Sequence, residues 1–213
     1  MMKRLLKPIV LWLATVAVVA VALLTVEADL LWKVQQHNVF LNTSLFFQQM
    51  MTVPGGMLSY LGTFFSQHFY YPWVGVILLC GWWLLLMWLT KRAFNIPVKW
   101  AILTVIPVAI LLVANMDMGY WVYFMKLPGY FYVATIGTTA AVGLVWAFRS
   151  LKEQWKYYTL YAALFMVITC AVGYPLLGVY ALGAVFIMAV MAWRSRLSPP
   201  TSNLSPLTSH LLL

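Results

Sequence analysis

Carboxylates are scarce in this chain: only four among 213 residues. Two of them stand together in Glu27-Ala28-Asp29, directly after an apolar run. A carboxylate pair in that position has two chemical uses. It can offer hard oxygen ligands to Mg²⁺, Mn²⁺ or Ca²⁺, or one member can act as a general base toward a hydroxyl acceptor. Asp117, in Asn115-Met116-Asp117-Met118-Gly119, closes a later apolar run and could join them. The candidate catalytic set is therefore Glu27, Asp29 and Asp117, with a divalent cation as the cofactor that would suit it. The plainer alternative is that these acids are solvated markers of segment ends.

Other reactive residues offer less. His37 and His68 do not share metal-binding spacing on one helix, and His210 lies near the end of the chain. Cys80 and Cys170 each sit inside a separate apolar run, which suits small buried hydrophobes better than a disulfide or a metal site. No phosphate-cradling glycine loop, nucleophile elbow, HExxH or CxxC occurs. Trp32, Tyr70, Tyr71, Trp73, Tyr120, Trp121, Trp155 and Trp193 fall where apolar runs end, as an aromatic belt would.

The elements that carry these residues follow from composition. Apolar residues make up 64% of the chain and charged residues 8%, and the mean hydropathy is +0.90. Soluble domains carry about 25% charged residues, so an ordinary cytosolic enzyme, a disordered tail and a nucleic-acid-binding domain are excluded. The net charge of +9 does not point to nucleic acid, because the cations stand singly or in small groups between apolar runs. A membrane-crossing helix needs about 20 apolar residues. The spacing predicts six spans, over 8–26, 73–90, 100–115, 128–148, 157–172 and 176–193. The last two come from one long apolar run, divided at Gly173-Tyr174-Pro175 because proline removes a backbone donor.

Charge sets the direction. Lys3, Arg4 and Lys7 precede the first span; Lys91, Arg92 and Lys99 follow the second. Arg149, Lys152 and Lys156 follow the fourth, and Arg194 and Arg196 follow the sixth. Of the 13 cations only Lys33 and Lys126 fall on the opposite side. Cations are retained in the cytoplasm, so both termini are expected inside a bacterial inner membrane. The first run is too long for a signal-peptide core and is read as an uncleaved anchor. No charge falls within a span core, which argues against an ion-coupled carrier.

Residues 27–71 form the one segment that is neither span nor short loop. We expect two amphipathic helices there, over 42–51 and 57–69, hinged at Pro54-Gly55-Gly56. Asn42-Thr43-Ser44 supplies the N-cap. The second helix is either interfacial or re-entrant. YPxxGV occurs twice, from Tyr71 and from Tyr174, with a cation 19 positions after each proline (Lys91 and Arg194). That pattern reads either as a duplicated hairpin or as two uses of a good helix start. Residues 1–196 form the membrane domain, and 197–213, rich in Ser, Thr and Pro, read as a disordered cytoplasmic tail or a truncated end.

Pro54, Gly55, Gly56, Leu58, Tyr60, Gly62, Gln67, Phe69, Tyr70, Tyr71 and Pro72 form a series that resembles the N-terminal membrane region of an uncharacterised bacterial multi-pass family, a domain of unknown function. The resemblance covers most of residues 1–196 and implies a membrane domain without an assigned activity. It also implies a further region that this chain does not carry. A looser likeness is to membrane glycosyltransferases that use lipid-linked sugars. It would make Glu27 and Asp29 the catalytic acid motif and Asp117 a second acid. Those enzymes have more spans and more cations toward the lipid phosphate, where this chain offers only Lys33 and Lys126.

The expected fold class is thus all-α: a polytopic integral membrane protein of about six transmembrane helices with two interfacial or re-entrant helices in its first outer loop. Two functions are carried forward. One is envelope glycan or lipid transfer through the three acids. The other is a non-enzymatic scaffold that docks a membrane-protein partner through residues 40–71. The lipid bilayer is a partner in either case, and nucleic acid is not.

Overall fold

The computed structural model describes residues 2–117, 129, 131–151 and 158–197. Among the described residues every regular element is helical. Helix α1 spans Met2–Thr25, α2 Ala28–His37, α3 Ser44–Met51 and α4 Gly56–Ser66, the last extended by a 3₁₀ turn over Gln67–Tyr70. Helix α5 spans Pro72–Ala93, and a 3₁₀ segment over Val98–Val105 leads into α6, Ile106–Asp117. Helices α7, α8 and α9 span Tyr132–Arg149, Tyr158–Leu177 and Val179–Leu197.

Among the described residues four segments are long and apolar enough to cross a bilayer: Pro8–Thr25, Pro72–Ala93, Val98–Met116 and Thr159–Leu177. Val179–Arg194 is a shorter apolar helix. Helix α7, the counterpart of the predicted fourth span, falls outside that set; it carries Thr135, Thr138 and Thr139 beside Gly137 and Gly143. It tolerates the hydroxyls by turning them on its own backbone: Thr135 Oγ1 donates to Phe131 O and Thr139 Oγ1 to Thr135 O, each at 2.7 Å. Protein surrounds it, with α5, α4 and α9 packed on its faces.

The core lies on either side of α7. One cluster joins α1, α2, α4, α5, α6 and α7 around fully enclosed Trp83, Phe69, Leu58, Leu79 and Tyr132. The other joins α7, α8 and α9 through Val145, Phe148, Ala162, Ala184 and Met188. Small residues between α8 and α9 let the two lie close, as lipid-immersed helices require.

The division of the last apolar run differs from the sequence expectation. Helix α8 continues through Pro175 to Leu177, and the chain reverses at Gly178 instead. Gly178 N–H donates to Tyr174 O at 2.9 Å, so helical hydrogen bonding survives past the proline. Gly178 then takes φ +60, a left-handed conformation open to glycine. The two helices therefore cover 158–177 and 179–197, where the sequence places spans at 157–172 and 176–193.

The same result separates the two YPxxGV copies. Pro72 opens α5 at its first residue, where a missing donor is harmless, whereas Pro175 lies in the last turn of α8. Gly75 sits inside α5, where a Cβ would lie 2.3 Å from Phe69 Cδ1; Gly178 is a turn. The copies are not structural equivalents.

The long segment over 27–71 holds three helices, not two. Helix α2 comes first, apolar on the face that buries Leu30, Leu31 and Val34. The predicted pair follows as α3 and α4, and Thr43 Oγ1 accepts from Phe46 N–H at 3.3 Å as the expected cap.

Candidate functional site

The acids were the first candidates. Glu27 stands at the elbow between α1 and α2, half-buried, and its carbonyl accepts from Leu31 N–H at 3.2 Å. Asp29 lies exposed in the first turn of α2, where a carboxylate meets the positive end of the helix dipole. Asp117 is the last residue of α6, and its side chain lies outside the described residues. Helix α2 packs on α1, α5 and the Gln67–Tyr70 turn, whereas α6 packs on α5 and its own 3₁₀ lead. Among the described residues no three His, Cys, Asp or Glu side chains gather as a metal site would require.

The histidines belong to the packing. His37 ends α2, and His68 Nδ1 lies 3.2 Å from Phe65 O with its ring against Phe64. His210 lies outside the described residues. Cys80 is buried in the core, while Cys170 is exposed on α8. Tyr70, Tyr71, Trp73 and Trp193 are exposed near helix ends, the pattern expected of a belt, whereas exposed Trp32 sits in the middle of α2; Tyr120, Trp121 and Trp155 lie outside the described residues.

At the end of the bundle that carries the acids, the long segment folds into a cap built on aromatic rings. Phe47 meets Tyr60 at 5.1 Å, Tyr60 meets Phe40 at 5.3 Å, and Phe40 meets Phe64 at 5.4 Å. Phe65 then stacks on Tyr132 at 5.4 Å, and Tyr132 Oη donates to Gly75 O at 2.7 Å inside the core. Each such ring pair adds about 0.5–1.5 kcal/mol beyond its buried area. Backbone contacts complete the seat. Asn38 Nδ2 donates to Thr63 O at 2.9 Å. A Cβ on Gly129 would lie 2.6 Å from Gly62 C, so α4 and the chain before α7 touch at their backbones. Gly55, at φ +81, donates its N–H to Pro175 O at 2.9 Å.

Helix α3 is the exception in this cap. It is apolar in sequence, yet none of its residues is buried. Leu45 and Phe47 are exposed on it, beside Val39, Leu41 and Val53 in the flanking chain.

The opposite, cationic end carries two grooves that sequence reasoning missed. One, of about 620 Å³, runs between α7 and α9 and is lined by Phe186, Val190 and Met191 with Arg149 and Arg194. Arg149 Nη1 donates to Ala93 O at 2.7 Å, closing the C-terminal end of α5. The Asn95 amide, in the orientation that satisfies both its ends, accepts from Arg149 Nη2 at 3.0 Å and donates to Arg92 O at 3.3 Å. The second groove, of about 500 Å³, lies beside α1 and α5. There Lys91 stands over Trp12 at 5.6 Å and Arg92 over Trp88 at 5.7 Å, while Trp12 Nε1 donates to Thr104 Oγ1 at 2.8 Å. These cations carried only a directional signal in the sequence. Nothing in linear spacing pairs Arg149 with Arg194 across two helices.

The chain matches a family of unknown function (DUF6057) over residues 3–213, and it belongs to that family. No curated protein and no solved structure matches it.

Proposed function

We propose that this member of a family without an assigned activity is a six-span inner-membrane protein, with both termini cytoplasmic, that docks a membrane-protein partner through its outer cap. One observation carries the reading: α3 is apolar, has no buried residue, and is held in place by Phe46 and Phe47 against Tyr60. Exposed apolar side chains scattered over spans meet lipid. Here Val39, Leu41, Leu45 and Val53 are instead exposed on the segment between the first two spans. Contiguous apolar surface held on a rigid base is what partner sites look like.

Transfer chemistry through Glu27, Asp29 and Asp117 has less support. Glu27 and Asp29 stand at the start of α2 and Asp117 at the end of α6, and the grooves described above open at the other end.

The test is site-specific photocrosslinking in intact cells, with a photoreactive residue at Leu45 and, as a lipid-facing control, at Val167. Docking predicts a discrete protein adduct from position 45 alone, lost on Phe47→Glu. Lipid adducts alone at both positions would remove the proposal.

A further inference from the structure

The groove between α7 and α9 combines apolar walls with two cations. Its walls are apolar: Phe186 is 70% exposed and Val190 45%. Its mouth is doubly cationic, and among the described residues no carboxylate lines it. Phe186 and Arg194 are eight positions apart on α9, about 12 Å along the helix axis at 1.5 Å per residue. A ligand filling the groove would therefore carry its charge at the level of Arg194 and its apolar part deeper in the membrane. Its volume of about 620 Å³ lies within the range of small-molecule sites.

Arg149 is also preset. Its bonds to Ala93 O and Asn95 fix the guanidinium plane, so little side-chain entropy is lost when an anion arrives. The second groove differs, because Lys91 and Arg92 already lie over tryptophan rings. Basic pockets between membrane helices on the cytoplasmic side recognise anionic lipid headgroups.

We propose that this groove holds one anionic phospholipid of the inner leaflet, its phosphate on Arg149 and Arg194 and an acyl chain along Phe186 and Val190. The proposal rests on the spans and their direction, and it is independent of partner docking at the outer cap.

The full chain, purified in mild detergent, tests it by thermal unfolding with added phosphatidylglycerol, phosphatidylcholine or inorganic phosphate. Phosphatidylglycerol is expected to raise the midpoint in a saturable way; the other two are expected to leave it unchanged. Arg194→Gln should weaken the apparent affinity about fivefold, the worth of one cation near an anionic headgroup. Val190→Trp should block the groove and abolish the response, with the unliganded midpoint showing that the variant folds. Arg149 is left intact because it also holds the end of α5. Equal stabilisation by phosphatidylcholine, an equal effect of phosphate alone, or an unchanged response in both variants would overturn the proposal.

Discussion

The amide of Gly55 and the carbonyl of Pro175 meet at 2.9 Å, joining the hinge of the outer cap to the end of α8. The approach is close because both turns lack side chains: a Cβ on Gly178 would lie 3.3 Å from Gly55 Cα. Both glycines hold positive φ, +81 and +60. Alanine would have to adopt a left-handed conformation in either turn. Gly55→Ala and Gly178→Ala are each expected to destabilise the chain by about 1 kcal/mol or more. Thermal unfolding in detergent checks this, and a parental midpoint in both variants would contradict it.

Tyr132 is enclosed completely, and its hydroxyl reaches Gly75 O from the neighbouring helix. Tyr132→Phe removes one interhelical hydrogen bond and leaves the ring stack with Phe65 in place. The expected cost is about 0.6 kcal/mol, the average for such bonds within membranes. Denaturant titration in mixed micelles measures it; a loss of several kcal/mol would mean the hydroxyl does more than bridge α5 and α7.

Trp12 and Thr104 link α1 to the 3₁₀ segment before α6 at 2.8 Å. A double-mutant cycle with Trp12→Phe and Thr104→Val should return a coupling of about 0.6 kcal/mol. Additive single effects would show that the bond contributes nothing to stability.

The all-helical, apolar character was legible because apolar length alone dictates it: among the described residues four segments are long and apolar enough to cross a bilayer, beside a shorter apolar helix. The internal detail was less so. Tyr174-Pro175 reads as a helix start, since proline favours that position, but packing against Gly55 moved the reversal to Gly178. Helix α2 went unread because Gln35, Gln36 and His37 dilute its apolar face. The cap expected within Asn42-Thr43-Ser44 falls on Thr43, and such local chemistry is what a single sequence carries best. Arg149 and Arg194 gained a common groove only through three-dimensional packing of α7 on α9.

Direction across the membrane is testable by accessibility. In a variant with Cys80 and Cys170 replaced by alanine, single cysteines at exposed Thr52 and Ser150 should label from opposite sides. Position 52 should react with an impermeant maleimide in intact cells and position 150 only after permeabilisation. The reverse pattern would invert the assignment.

The acids give a discriminating prediction. Under partner docking, Glu27→Gln with Asp29→Asn leaves both the envelope glycolipid profile and the crosslink from position 45 intact. A profile altered as it is by deletion of the gene would instead return the three acids to the centre of the account.

Helix α7 carries its threonines into the middle of the bundle, where α4, α5 and α9 wall it in. Polar groups are costly in open lipid, so a nascent α7 with its threonines gains from walls that already exist when it leaves the ribosome. Synthesis from the N-terminus delivers α4 and α5 first. The order of the gene's codons thus doubles as an insertion schedule, with the threonine-bearing rod admitted after two of its hosts and sealed afterwards by α9.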